Sequence, residues 1–274
     1  MNLSIVLPAI RTHNWVALVE SAKEACTRYE YEFVFVGPFK PPAELQNNPQ
    51  IKYIEDWGSP SRCGQRAVLE ASGELFFLTV DDGTLAPDSL NQSLDLYYES
   101  NNQKAVINGR HYEGGNPVPM YIWQAGNISE FHHPSINPNW LFTLQPIMNI
   151  EHFKYLGGFD CCFEYLNHGA QDLSFRLQRE GGTILHSPIE ICHATHMPGF
   201  TGDHESVGRA QTEHDTPLFR EIYQDVSSAN RVFVDLDNWQ FEPDIWDRRF
   251  DRKYSSYDDM YKCKYENSEH NKCS

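Results

Sequence analysis

The sequence predicts an α/β fold, in which helices flank a mixed, mainly parallel sheet of Rossmann-like topology. Apolar runs of strand length alternate with helical patterns over residues 1–110, and such alternation gives right-handed crossovers and parallel strands. The chain has 274 residues, which is enough for one large domain with a substantial core. The most apolar run, at 75–80, passes directly into acidic residues at the end of the strand, where open α/β sheets bind their ligands.

Each predicted strand is a short apolar run, and several end at a residue that breaks a strand. Pro8 closes the first run, and Gly37-Pro38 stops the second. The strands are predicted at 3–7, 31–36, 51–54, 74–80, 105–107, 184–186 and 190–193, and regular structure is predicted to resume at 143–150.

The predicted helices combine apolar residues at helical spacing with residues that favour a helix end. Asn14 and Ser61 are placed to cap the first two helices, and Gly73 follows the second. Pro87-Asp88 opens the third. The helices are predicted at 14–29, 61–72, 87–97, 171–180 and 206–225.

The charge balance disfavours several classes of partner. Lys and Arg number 22 against 38 Asp and Glu, which gives a net charge of −16 that repels phosphate backbones and anionic lipid. Duplex nucleic acid is therefore an unfavourable partner. No apolar run approaches the roughly 20 residues needed to cross a bilayer, so no integral membrane association is expected. The surplus of carboxylates suits a protein that binds a divalent metal, although most such charge is solvated surface.

The seven cysteines include no Cys-x-x-Cys pair. An odd number without that spacing predicts neither a disulfide scaffold nor a structural zinc site. The first residues lack the basic start and cleavage site of a secretory leader. We therefore expect reduced thiols and a cytoplasmic location.

Asp81 and Asp82 are the first candidate site residues, because they follow the strand predicted at 74–80. Two adjacent carboxylates repel each other unless a cation or hydrogen-bond donors compensate them. A divalent metal that bridges phosphate oxygens would do so, since Mg²⁺ and Mn²⁺ prefer oxygen ligands. The alternative is a plain turn, because Asp-Gly after a strand is common turn chemistry.

Residues 61–88, SRCGQRAVLEASGELFFLTVDDGTLAPD, resemble a segment of the family 2 glycosyltransferases, which have a GT-A fold. The shared features are a helix with Arg and Gln, an Ala-Ser-Gly-Glu turn, an apolar strand, the acidic pair and a Pro-Asp. The opening LSIVLPAIR also resembles that family's first strand, whose turn contacts the nucleotide base. The resemblance covers 1–110 well and 145–200 more loosely. It implies a GT-A-like fold with an acceptor-side extension and a C-terminal tail.

The resemblance also implies a role for several residues. Asp81 would contact the donor ribose or share the metal, and Asp82 would ligate the Mn²⁺ or Mg²⁺ that holds the donor's diphosphate. Arg62 and Arg66 would lie near the base or the phosphates, although either could equally be a surface residue. The residues predicted to bind the donor are Pro8, Ala9, Arg11, Arg62, Arg66 and Asp81.

Two departures from the family pattern bear on the donor. The family usually has an acidic residue after its second strand, which pairs with uracil, whereas this chain has Gly37-Pro38-Phe39. Asp56, after the third strand, could substitute for that acid or could be a turn residue. Thr79 stands where a full Asp-x-Asp motif has its first acid.

Asp172 is the predicted catalytic base. Helical spacing places it in an early turn on the same face as Arg176, where it could cap the helix or take a proton from an acceptor hydroxyl. The segment resembles the family's Glu-Asp motif with Gln171 in place of Glu, and the Gly-Gly-Phe-Asp at 157–160 resembles the sequence that commonly precedes it. Glu164 is the alternative base.

His193 and His196 follow the last predicted strand. A His after the base region is a third metal ligand in several GT-A enzymes, so the resemblance implies that His193 completes the metal site, with His196 as the alternative. His204, Glu213 and His214 could also cluster near the site, although residues 206–225 have the pattern of an ordinary amphipathic helix.

Residues 109–140 are an irregular stretch rich in Gly, Pro and Asn, and such segments are usually functional loops or disordered. Their rings could contact a sugar acceptor or fill a core. The rings are those of Tyr112, Tyr121, Trp123, His132, His133 and Trp140. From Asp251 the chain has almost no aliphatic residues, which predicts a surface-lying or disordered tail.

The resemblance implies a metal-dependent, inverting glycosyltransferase that moves a sugar from a nucleotide-diphosphate-sugar donor to a hydroxyl acceptor such as a glycan. Residues 1–110 would be the nucleotide-sugar-binding half, 111–230 the acceptor-binding and catalytic half, and 231–274 a C-terminal extension. The rival is a catalytically degenerate GT-A-like domain that binds nucleotide or glycan without turnover. A nucleotidyltransferase is weaker, because no Gly-rich phosphate loop follows the first strand.

Overall fold

The computed structural model describes residues 1–113, 122–123, 141, 143, 145–195, 201–224 and 231–266. Within these residues, nine strands form one sheet. They are β1 (Leu3–Pro8), β2 (Tyr31–Gly37), β3 (Ile51–Glu55), β4 (Leu75–Leu78), β5 (Gly83–Leu85), β6 (Ala105–Glu113), β7 (Ile122–Trp123), β8 (Pro146–Asn149) and β9 (Thr183–Ala194). The α-helices are α1 (Trp15–Ala25), α2 (Pro60–Leu69), α3 (Ser89–Glu99), α4 (Ile150–Tyr155), α5 (Leu166–Arg179), α6 (Glu205–Arg209), α7 (Thr216–Gln224) and α8 (Tyr257–Tyr261).

The order of the strands confirms the predicted α/β fold. The path across the sheet is β3-β2-β1-β4-β8-β6-β9-β5, with β7 paired to β6. Strands β3, β2, β1 and β4 are parallel neighbours, while β8 runs antiparallel between β4 and β6. In register, Pro8 lies opposite Val36, Gly37 opposite Glu55, and Val6 opposite Leu78. The carboxyl ends of these four strands therefore meet at one edge.

Alternating side chains bury both faces of the parallel half of the sheet. On one face, residues such as Ile5, Phe35 and Phe77 pack with α1 and α3. On the other face, residues such as Val34 and Phe76 pack with α2 and α5. A sheet covered on both faces exposes only its strand ends, and this leaves the carboxyl edge available for a ligand.

Several element boundaries differ from the predicted ones, among them those of α2, α5 and β9. Helix α2 begins at Pro60, and its cap is Ser59, whose hydroxyl accepts a hydrogen bond from the Arg62 amide at 3.3 Å. Helix α5 begins five residues earlier than predicted. The two strands predicted at 184–186 and 190–193 form one continuous strand, β9. The pairing of β6 with β9 shifts register near Pro188, and such an irregularity allows a proline within a strand.

The segment 231–266 packs against the domain at several points. Tyr254 and Met260 belong to the stretch expected to lie on the surface, yet both are buried in a cluster with Trp57 and Phe250. Cys263 is disulfide-bonded, whereas reduced thiols were expected throughout. Cysteine spacing alone does not specify pairing, so the sequence carried no signal for this bond.

Among the described residues, every helix is too short or too polar to span a lipid bilayer. Most of the aromatic stretch predicted to meet an acceptor lies outside the described residues, and so does His196.

Gly37 is required by the close approach of two strand ends. A Cβ atom at this position would lie 1.8 Å from the carbonyl oxygen of Ala9, which is backbone and has no side-chain freedom to yield. This approach explains why β2 ends in a glycine, next to the position where the family resemblance predicts an acid.

We expect Gly37→Ala to lower the free energy of unfolding by about 1–3 kcal/mol, because the added methyl group forces the ends of β1 and β2 apart. Urea denaturation measures it. The matched control is Gly169→Ala in α5, where the nearest atom to the new Cβ is the Ser61 Oγ at 3.4 Å, an ordinary contact. The control should be neutral or up to about 1 kcal/mol more stable, and equal losses in both variants would contradict the steric argument.

Candidate active site

A cleft opens at the carboxyl edge of the parallel strands, with about 870 Å³ of empty space that is partly open to solvent. The ends of β1 and β2, the β4–β5 turn, and the starts of α2 and α6 line it. Five residues predicted from the sequence line this cleft: Pro8, Ala9, Arg11, Asp81 and Asp82. The structure therefore brings together the loop after the first strand and the acidic pair.

The Asp81 carboxylate fixes the loop that follows β1. Its Oδ2 accepts hydrogen bonds from the backbone amides of Ile10 and Arg11, both at 2.6 Å. Its Oδ1 accepts a third hydrogen bond from Arg11 Nη1 at 2.6 Å. Asp81 is 2 % exposed, so these charge-assisted bonds lie in a poorly solvated place. These contacts indicate that Asp81 fixes the conformation of the loop after β1, which lines the cleft.

Arg11 joins the acidic pair to the turn before α6. Its Nε donates to Asp203 Oδ2 at 2.7 Å, and its Nη2 lies 3.0 Å from His204 Nε2. Burial opposes the charge of the guanidinium, but the surrounding carboxylates, with Asp81 foremost, raise the pKa of Arg11 well above its usual value. Arg11 is therefore a fixed cation within a cluster of acids.

Asp203 is the acid that the sequence did not single out. Burial would raise the pKa of Asp203, but the hydrogen bond from His204 and the charge of Arg11 bring it well below its usual range. The distance from His204 Nδ1 to Asp203 Oδ1 is 3.0 Å. His204 lines the cleft, which agrees with the prediction that it could lie near the site. Glu213 and His214, which were expected to cluster with it, have other partners: Glu213 contacts Arg209, and His214 contacts Asp215.

Asp82, the predicted metal ligand, lies in the lining of the cleft. Its Oδ2 lies 3.8 Å from Arg11 Nη1 and 4.0 Å from His204 Nε2, beyond hydrogen-bond distance. Within the described part of the chain, no group of three His, Cys, Asp or Glu side chains is arranged to hold a metal ion. Mg²⁺ usually needs only one or two protein carboxylates beside substrate phosphates and water, so the chemistry of Asp82 fits such an ion.

His193, the predicted third metal ligand, lies on β9 opposite Thr84 of β5. Its side chain is exposed. Thr195 directly follows the strand, and its amide and hydroxyl donate to the backbone carbonyl of Asp82 at 2.8 and 2.6 Å. His193 thus lies on the strand that borders the acidic turn, and its role as a ligand stays a prediction.

The predicted donor residues Arg62 and Arg66 are directed toward Asp56. Arg62 Nε lies 3.0 Å from Asp56 Oδ2, and Arg66 Nη1 pairs with the same carboxylate. Arg62 also donates to the backbone carbonyls of Trp239 and Glu242 at 2.7 and 2.6 Å. Neither arginine lines the cleft, although Gly58, Pro60 and Cys63 from the same part of the chain do. Arg62 and Arg66 therefore brace α2, and Asp56 is occupied by them.

Asp172, the predicted base, lies in a buried ion network away from the cleft lining. It has no exposed surface and accepts hydrogen bonds from Arg176 Nε at 2.8 Å and from the Tyr223 hydroxyl at 2.5 Å. Arg231 pairs with the same carboxylate. Burial would raise the pKa of Asp172, but Arg176 and then Arg231 lower it. These contacts favour a structural role for Asp172, and its role as base stays a prediction.

Glu164, the alternative base, pairs with Arg248 and is about one-fifth exposed. Its neighbour Tyr165 lines the cleft. Two further cleft residues, Arg249 and Phe250, come from the C-terminal segment and were not predicted. No local motif surrounds them in the sequence. Tertiary packing alone brings them to the site.

Solved structures with a similar fold include S. aureus TarS residues 1–349, at TM-score 0.55 and 13% identity over 88% of this chain and 72% of that chain. The same fragment in complex with UDP gives a TM-score of 0.53 and 14% identity over the same shares. A longer S. aureus TarS chain gives 0.53 and 15% identity over 76% of this chain and 38% of that one. No protein-family model and no curated protein matches the sequence. The likeness confirms the predicted GT-A-like fold, while membership of family 2 stays a prediction.

We expect Asp172→Asn to lower the free energy of unfolding by about 3–5 kcal/mol, because it leaves the buried Arg176 guanidinium uncompensated. Tyr223→Phe is the matched control, since it removes one hydrogen bond to the same carboxylate and should cost about 1 kcal/mol. Urea denaturation at pH 7 compares the two. If Asp172→Asn proved no less stable than Tyr223→Phe, the structural role would have to be abandoned.

The Glu242 carboxylate should make the stability of the folded protein depend on pH near neutrality. Burial raises the pKa of Glu242 to about 7, although the Ser59 amide hydrogen bond opposes the shift. A raised folded-state pKa means that the folded protein binds more protons than the unfolded chain between about pH 4.5 and 7. Stability from this group therefore falls as the pH rises through that window.

We expect Glu242→Gln to flatten this fall and to be more stable than the wild type at pH 8, by up to about 3 kcal/mol. Thermal unfolding from pH 5 to 8 measures the slope. Glu44→Gln, at an exposed site, is the control and should leave the slope unchanged. An identical slope in Glu242→Gln and the wild type would disprove the assignment.

Proposed function

We propose that this chain is a glycosyltransferase that binds a nucleotide-diphosphate-sugar in the cleft and transfers the sugar to a hydroxyl acceptor, such as a glycan. The observation that carries the proposal is the Asp81-Asp82 pair at the carboxyl end of the central parallel strands, with Arg11 beside it. That edge is where α/β sheets of this kind bind nucleotides. Carboxylates and a cation there suit a ligand that carries both hydroxyl groups and phosphates.

The comparisons support the same class of reaction. TarS is a staphylococcal glycosyltransferase, and one of the TarS structures that resemble this chain is a complex with UDP. A nucleotide-sugar is therefore the donor class that we propose.

The residues of the cleft would divide the work of binding. Asp81 holds the loop after β1 in place, so that Pro8 and Ala9 present backbone to the nucleotide. Asp82 would hold a Mn²⁺ or Mg²⁺ ion, and that ion when bound would neutralise the charge that develops on the departing diphosphate. His193 would be the further ligand. Inversion at the sugar carbon is part of the proposal and comes from the family resemblance.

Single-displacement transfer needs a base that takes the proton of the acceptor hydroxyl. Asp172 is the candidate from resemblance, but its oxygens are engaged by Arg176, Arg231 and Tyr223. Glu164 lies next to the cleft residue Tyr165 and is partly exposed, but its carboxylate pairs with Arg248. We therefore propose to test both carboxylates in turnover.

The second candidate function is a GT-A-like domain that binds nucleotide or glycan without turnover. Two observations favour this function. Asp172, which the family resemblance predicts as the base, is fully buried. Gly37, at the end of the strand after which the family has an acid that binds the nucleotide base, leaves no room for a side chain. Release of nucleoside diphosphate from nucleotide-sugars, with and without added hydroxyl acceptors, separates the two functions.

The first test is thermal unfolding with UDP, GDP, TDP, CDP or ADP, each with Mn²⁺ and with EDTA. We expect one nucleotide to stabilise the protein, since a ligand at a hundred times its dissociation constant adds about 2.7 kcal/mol. Asp82→Asn should lose the part of this stabilisation that depends on the metal.

Asp244→Asn, at an exposed carboxylate outside the cleft, is the matched control and should respond like the wild type. The absence of any nucleotide response would count decisively against the proposed function. A response that is the same in EDTA and in Mn²⁺ would remove the metal from the proposal and leave the nucleotide site intact.

A further inference from the structure

Arg249 is a buried cation in the cleft that differs from the other charged residues there. It is 6 % exposed and lines the cleft together with Arg11. Arg11 is held by two aspartates through short ion pairs. Arg249, in contrast, has no carboxylate within ion-pair distance among the described residues. The one hydrogen bond of its side chain in that part of the chain runs from Nη2 to the backbone carbonyl of Asp203 at 3.0 Å.

The Nε–H group of Arg249 is buried and has no hydrogen-bond partner within the described residues. Burial, and then the like charge of Arg11, lower the pKa of Arg249 from its usual value. Arginine nevertheless stays charged in proteins. A buried guanidinium with an unused donor and a poorly compensated charge is costly, and an anion in the cleft would remove that cost.

The backbone around Arg249 is built to hold it at the cleft. The Trp246 amide donates to the Trp57 carbonyl at 2.9 Å, and the amides of Arg249 and Phe250 donate back to the Trp246 carbonyl at 2.9 and 2.7 Å. The Phe250 ring packs edge-on against Trp57 with centroids 5.2 Å apart. The residue after Trp57 is Gly58, which lines the cleft. This turn therefore attaches the C-terminal segment to the cleft wall.

We infer that Arg249 binds the diphosphate of the nucleotide, so that the C-terminal segment supplies a donor-binding residue to a site otherwise built by the parallel half of the sheet. The inference rests on the proposed function, since it presumes a nucleoside diphosphate in the cleft. The planar guanidinium presents several donors to phosphate oxygens, and Nε–H is one that the described residues leave open. Arg11, in contrast, already directs Nη1 to Asp81 and Nε to Asp203.

The test compares dissociation constants, by isothermal titration calorimetry, for the nucleoside diphosphate selected from UDP, GDP, TDP, CDP and ADP and for the corresponding nucleoside. We expect Arg249→Gln to weaken the diphosphate by about 10- to 100-fold, the loss typical of a charged hydrogen bond, and to leave the nucleoside unchanged. Arg249→Lys keeps the charge but not the fork of donors, so it should weaken the diphosphate by a smaller factor.

Arg248→Gln is the matched control, because Arg248 is the adjacent arginine and pairs with Glu164 and Glu213 outside the cleft lining. It should change diphosphate binding by less than about twofold. If Arg249→Gln does not fold, Arg249→Lys replaces it in the test. The lysine variant should also weaken diphosphate binding and leave nucleoside binding unchanged. Equal weakening of both ligands, or an unchanged diphosphate constant, would overturn the inference alone. A wild type that binds no diphosphate would overturn the proposed function with it.

Discussion

The cleft depends on one buried carboxylate, that of Asp81. Parallel strands end with backbone amides that have no partner in the sheet, and the loop after β1 must satisfy two of them within a small volume. Asp81 accepts both and also binds the Arg11 guanidinium, so a single side chain fixes the loop backbone and its cation together. Since Asp81 comes from the end of β4, its position follows from the pairing of β4 with β1. The geometry of the site is thus a direct consequence of strand order.

A second layer of ion pairs holds the walls of the cleft without entering it. Arg62 and Arg66 close on Asp56 at the start of α2, and Arg176 closes on Asp172 within α5. Each pair is largely buried and its members use their hydrogen-bonding capacity on one another or on backbone carbonyls, which is the condition under which buried charge is tolerated. These pairs hold the two helices in place beside the sheet, and the cleft lining carries Arg11, Asp81, Asp82, His204 and Arg249.

The sequence predicted the parallel half and the acidic pair because both have local signals: apolar runs of strand length, and carboxylates directly after the most apolar run. It could not show which partners the other charged side chains have. Arg62 and Arg66 lie on a helix that adjoins the cleft and pair with Asp56, and a role in donor binding stays a prediction for both. Asp203 and Arg249 have no surrounding motif in the sequence. The packing of Trp246 and Phe250 with Trp57 brings Arg249 to the cleft.

The attachment of the 246–250 turn to Trp57 has a consequence for synthesis on the ribosome. The parallel strands β1 to β4 and the acidic pair are made early, because they lie within the first 85 residues. The turn that carries Arg249 is made only after nearly all the described chain, and its attachment closes a very long loop. Until then Trp57 lacks the Trp246 and Phe250 side chains with which it is buried in the folded protein.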